Sequence, residues 1–164
     1  MVLNAVQVSC VVAHSFCEVV VGVISDIVIA KKTDAAKLVE DINSDEFEFE
    51  EMRGVQIGEL GVLLGILGDR PIGDDLFKEF SLAAAEDEED GPWAHNIPDD
   101  LVRYLSEIKD ESIPAIIEKW IGREETWMIH EAPVEVLEGG LKRLRDVSQR
   151  ALKEQKTLFL RICL

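Results

Sequence analysis

The chain opens on alternation. Val6, Val8, Cys10 and Val12 alternate with Gln7, Ser9 and Val11, a period of two that predicts a strand. Cys17 to Ala30 is rich in β-branched residues, broken at Gly22 and at Ser25-Asp26, and reads as one bent strand or two short ones. Apolar residues on both of its faces suggest a central strand, covered on both sides. Thr33 is placed to cap a short helix from Asp34 to Ile42. Glu46-Phe47-Glu48-Phe49-Glu50 alternates without a break, as an edge strand or an extended loop with Phe47 and Phe49 turned inward.

Helical spacing then takes over. Val55 to Leu67 carries Leu60, Leu63, Leu64 and Leu67 on one face. Gly58, Gly61 and Gly65 fall at three- and four-residue spacing within it, a stripe suited to close packing of another element. Gly68-Asp69-Arg70-Pro71 stops that helix, and Asp74 to Ala85 predicts the next one. Glu86 to Asp90 is an unbroken acidic run of the kind found in solvated loops. Trp93 to Asn96 is a short extended piece. Pro98 then suits the first turn of a helix bearing Leu101, Val102, Leu105 and Ile108, because a missing N–H costs nothing there. A second helix, capped by Asp110 or Ser112, turns Ile113, Ile116, Ile117 and Trp120 inward, and the two together predict a helix hairpin. Pro133 opens the longest helix, to about Lys156, with Leu137, Leu141, Leu144 and Ala151 along its buried stripe and Gly139-Gly140 as a candidate kink. Thr157 to Leu164 is a last strand.

These elements predict an α+β fold. A small sheet forms from the N-terminal strands and the C-terminal strand, packed with five or six helices. At 164 residues one domain is expected over 1–164, with residues 1–24 as an N-terminal extension. No internal repeat or long linker divides the chain.

Charge changes the picture more than composition does. Seventeen basic residues face 33 acidic ones, a net −16. Such a surface repels nucleic-acid phosphates and anionic lipid and points toward a basic partner. Residues 142–161 run the other way, with seven basic residues against Asp146 and Glu154. The expected outlet for that segment is internal pairing, and Asp34 to Glu51, with eight acids and the single base Lys37, is its complement. Residues 5–30 are largely apolar. No Lys or Arg precedes Lys31, and Glu18 and Asp26 interrupt the run, which argues against a signal peptide and a membrane span. Three cysteines, Cys10, Cys17 and Cys163, imply no disulfide framework and suit a reducing cytoplasm.

Candidate chemistry is sparse. Cys10, His14 and Cys17 are metal-ligand types, but on a continuous strand Cys17 points away from the other two. A turn and a fourth ligand such as Cys163 would be needed, so buried thiols are the default and no metal or cofactor is expected. Residues 91–130 hold all three tryptophans, the only tyrosine and two of the three histidines. Within them His95 lies beside Trp93 and upstream of Asp99 and Asp100, and His130 follows Trp127. A histidine near carboxylates is the minimum for acid–base chemistry. No nucleophile elbow, zinc-binding helix motif, phosphate loop or dinucleotide turn accompanies them. With 33 carboxylates such neighbours arise by chance, and Asp99 and Asp100 also suit a helix N-terminus.

Several landmarks, taken in order, resemble a family of small bacterial proteins of unknown function. They are Ser25-Asp-Ile-Val-Ile-Ala30, Gly54-Val-Gln-Ile-Gly58 with Leu63-Leu-Gly-Ile-Leu67, Gly91-Pro-Trp-Ala-His-Asn-Ile-Pro-Asp-Asp-Leu-Val102, Trp120 with Glu124-Glu-Thr-Trp127, and Leu158 to Leu164. The resemblance covers about residues 25–164. It implies a single intracellular bacterial domain and transfers no catalytic residue.

Two readings of function follow. The first is a non-enzymatic, acidic cytoplasmic protein that binds a basic partner, in the manner of an immunity protein, and binds neither nucleic acid nor membrane. The second is a small hydrolase-type enzyme or ligand-binding domain centred on Trp93, His95, Trp127 and His130.

Overall fold

The computed structural model describes residues 24–40, 46–87, 89–126 and 129–163. The predicted strand at residues 6–12, and the part of the second one before Ile24, lie outside them. Two long apolar segments from the two ends of the chain form the middle of the sheet. Strand β1 (Ile24–Ala30) runs antiparallel to β5 (Thr157–Cys163), in register from Ile24 opposite Cys163 to Ala30 opposite Thr157. Strand β2 (Phe49–Glu51) flanks β1. On the other side of β5 lie β4 (Trp93–Asn96) and then β3 (Leu82–Ala85), so the order is β2-β1-β5-β4-β3, antiparallel throughout.

The fold is therefore α+β, but the sheet also draws two strands from mid-chain. This corrects the single helix expected over Asp74 to Ala85. Only Asp74–Phe77 is helical (α3), and Leu82 to Ala85 become β3. The alanines favour a helix locally, but pairing with β4 supplies backbone bonds that a strand next to an established sheet can use.

The first helix also differs from expectation. Lys32–Asp34 form a 3₁₀ turn, Thr33 makes no cap, and α1 covers Lys37–Glu40. Short as it is, α1 supplies Leu38 and Val39 to a small cluster with Val28, Ala94 and Phe159 on one face of the sheet.

The opposite face carries the main core. Ile27, Ile29, Leu158, Leu160 and Ile162 meet four helices there: α2 (Ile57–Gly68), α4 (Asp99–Ser106), α5 (Ile113–Ile121) and α6 (Val134–Glu154). α2 is the hub. Leu60, Val62, Leu63 and Leu64 are all fully buried, so the helix is covered on every side, as its glycine content allows. A Cβ on Gly61 would lie 2.3 Å from the Phe77 ring, and one on Gly65 would lie 2.5 Å from Ile72 Cγ1. The glycine stripe is thus the bed for α3 and the turn before it. Trp120 closes the other side of α2: its buried indole N–H donates to the Glu59 carbonyl at 2.9 Å.

α4 and α5 do not close on each other as a hairpin. Each packs on α2 and α6 instead. α6 runs unbroken through Gly139-Gly140 and presents Leu137, Leu141, Leu144, Val147 and Ala151 to the core. Among the described residues no helix is long and apolar enough to cross a membrane.

Candidate functional site

Pairing with β5 determines which way the β4 side chains face. Trp93 lies opposite Ile162 and His95 opposite Leu160, so both take the helical face. Trp93 is half-buried against the main core. The His95 ring is also half-buried, with Nδ1 3.2 Å from the Phe80 carbonyl. A carbonyl can only accept, so this bond requires the proton on Nδ1. The contact ties β4 to the segment between α3 and β3.

Asp99 and Asp100 stand exposed in the first turn of α4, where the helix dipole favours them. Asp100 accepts from Arg103 at 2.8 Å. Asp99 shares the lining of a pocket of about 250 Å³ with Lys32, Ser81, Asn96 and Thr157. His130 is exposed in the loop before α6. Trp127 lies outside the described residues. The structure therefore brings Trp93 and His95 onto one face of one strand. Among the described residues, no hydrogen bond or ion pair links His95 to Asp99, Asp100 or His130. Nor do three or more His, Cys, Asp or Glu side chains gather there in a group that could hold a metal. Cys10, His14 and Cys17 lie outside those residues. Cys163 is a free, half-buried thiol, pushed up from its ordinary pKa by burial.

Charge is more organised than the histidines. Most of the basic C-terminal segment is paired with acids of the same chain. Arg150 donates to both carboxylate oxygens of Glu48, at 2.6 and 2.7 Å, and Arg143 lies 3.6 Å from Glu50. Arg145 holds Asp110, and Lys156 holds Glu154. Glu48 and Glu50 belong to the stretch expected to complement this segment, so that expectation holds at these two positions.

The sequence reading missed one pair. Asp26 and Arg161 face each other in the middle of the sheet, 3.2 Å apart and both buried. The guanidinium also lies over the Phe49 ring, 5.0 Å from its centroid. Burial pushes the Asp26 carboxyl up from the ordinary carboxylate range; Arg161 opposes this and Glu51 adds to it. The signal was present as one charge of each sign in the middle of two apolar strands. Recognising it needed the register.

The described members of the acidic run, Glu86, Asp87, Glu89 and Asp90, sit in a built turn at the tip of the β3–β4 hairpin. Asp87 Oδ1 accepts from the backbone N–H groups of Glu89 and Asp90, at 2.7 and 3.0 Å, which holds its carboxyl below the usual range. Gly91 N–H donates to the Asp87 carbonyl at 3.1 Å, and Glu86 N–H to the Pro92 carbonyl. Glu86, Glu89 and Asp90 are left exposed. The chain matches no family model, no curated protein and no solved structure.

Proposed function

We propose that this is a non-enzymatic, acidic cytoplasmic protein that binds a basic protein partner, in the manner of a bacterial immunity protein. One observation carries the reading: the cations that could have formed a basic face are spent internally. Of the seven basic residues between 142 and 161, five hold carboxylates: Arg143, Arg145, Arg150, Lys156 and Arg161. The surplus behind the net −16 is left for the surface. Residues 86–125 alone contain thirteen acids against four bases. Such a surface accelerates encounter with a basic protein and disfavours nucleic acid and anionic membrane.

The hairpin tip is the first place to look for contact, because its exposed acids sit on a turn held by its own hydrogen bonds. A partner is captured from native lysate at low salt, purified, and titrated against the chain. Affinity should fall by about tenfold or more between ~50 and ~300 mM salt, and again in an E86K/E89K/D90K variant. Binding that is indifferent to both salt and charge reversal would refute the reading. His95→Ala should leave that affinity unchanged; a catalytic or ligand site at His95 would show itself instead as a turnover or small-molecule binding that His95→Ala abolishes.

A further inference from the structure

The end of α2, α4 and α5 leave a groove of about 390 Å³ between them. Beside it, where α2 ends and the chain turns through Asp69 to Ile72, lies a second depression of about 410 Å³. Ile66 and Lys119 line both, so the two depressions adjoin at these side chains. One half is apolar, walled by Leu67, Tyr104, Ile108, Ala115 and Ile116. The other is cationic, with Arg70, Lys119 and Arg123. Each half falls in the size range of small-molecule sites.

One of these cations is unusual for this molecule. The chain has eight arginines, and seven of them hold a carboxylate. Arg123 is the exception among the described residues, although Glu124 and Glu125 follow it directly. Lys119, four residues earlier, also makes no ion pair among the described residues and faces the same depression. Lys119 lies in the last turn of α5, where the helix dipole favours a cation, and Arg123 follows just past the helix end. Among the described residues, Lys119 and Arg123 thus stand without an ion pair beside an apolar groove.

The third cation is fixed in place. Arg70 is held by Glu79 through two hydrogen bonds. Arg70 and Tyr104 both press on Gly68, where a Cβ would lie 3.0 Å from the Tyr104 ring and 3.2 Å from Arg70 Cδ. That contact shapes the wall between the two halves. With Arg70 neutralised by Glu79, Lys119 and Arg123 face the single acid Asp69 in that half, which leaves room for one negative charge. Glu107 on the far wall and the long-range field of the chain oppose a multiply charged ligand.

We propose that this cleft binds a small amphipathic monocarboxylate. Its carboxylate is held by Lys119 and Arg123, and its apolar body lies against Leu67, Tyr104, Ile108 and Ile116. The inference is independent of the basic-partner reading and stands or falls separately.

The full chain is titrated calorimetrically with octanoate, with octanamide (the same length without the charge) and with acetate (the charge without the tail). Octanoate should bind at roughly millimolar affinity or better, and the other two about tenfold more weakly. K119Q/R123Q should weaken octanoate by about tenfold, the loss expected for charge-assisted hydrogen bonds. Ala115→Trp, at an exposed position on the apolar wall, should block octanoate without touching a charge. Melting temperatures of the variants near that of the parent show that the fold is kept, and R123Q alone serves if the double variant unfolds. Equal binding of acetate and octanoate would mean an adventitious anion only. Equal binding of octanamide would mean non-specific apolar adsorption. Either result, or no octanoate binding up to about 10 mM, or full affinity in K119Q/R123Q, overturns the proposal.

Discussion

Trp120 was placed in the core from its helical stripe, and it lies there with 1% of its surface exposed. Its indole N–H donates to the Glu59 carbonyl across 61 residues of sequence, a partner that no local pattern announces. Trp120→Phe should therefore lose both the donor and part of the ring, at a cost of about 2–4 kcal/mol measured by urea unfolding. A cost near zero would mean that the contact adds nothing to packing. Asp26 makes a pH prediction. Burial raises its carboxyl in the folded chain. The native state therefore holds the proton at a pH where the unfolded chain has released it. Asp26 then contributes most at acid pH, and that contribution is lost as pH rises from near 3.8 through the raised value. Asp26→Asn cannot ionise. Its melting temperature minus that of the parent should thus increase over that interval, and a decrease would show that Arg161 outweighs burial. The placement of Trp120 was legible because helical periodicity is local. The Asp26–Arg161 pair was not, because it depends on how two strands 135 residues apart align.

Among the elements, α2 and α6 show what a glycine in a helix means. In α2, Gly65 lies under Ile72 and Leu76. In α6, a Cβ on Gly139 would meet nothing within 4 Å. The same substitution should then act with opposite signs. Gly139→Ala should stabilise by about 1 kcal/mol through helix propensity. Gly65→Ala should destabilise by about 1–2 kcal/mol, because overpacking outweighs that gain. Thermal melts of the two variants check both signs together. The α2 stripe was read as a bed for close packing, which it is. The element lying on it was misread, because Asp74 to Ala85 carry helical residues whose second half is recruited by β4. The α4–α5 pair shows the same limit. A short connection suggested a hairpin, whereas the large apolar surfaces of α2 and α6 attract both helices away from each other.

At the scale of the molecule, charge dominates. A net −16 on a chain of this size repels itself. Most of the ion pairs are exposed and worth little. Screening should therefore relieve more repulsion than it weakens attraction, and the melting temperature should rise between low salt and about 0.5 M NaCl. A fall would show that pairs such as Arg150–Glu48 contribute more than surface bridges usually do. The sequence by itself determined the α+β class, the two apolar segments that meet at the middle of the sheet, the amphipathic stripes of α4, α5 and α6, and the sign of the surface. Each of these depends on residue type and short-range periodicity, which the chain carries locally. Only the tertiary structure decided the strand order, the conversion of Leu82 to Ala85 into a strand, the buried Asp26–Arg161 pair, and the cleft where Arg123 stands without a carboxylate among the described residues. Each of these depends on which distant segments meet. That is set by competition among many surfaces for burial and backbone pairing, and not by any one stretch of sequence.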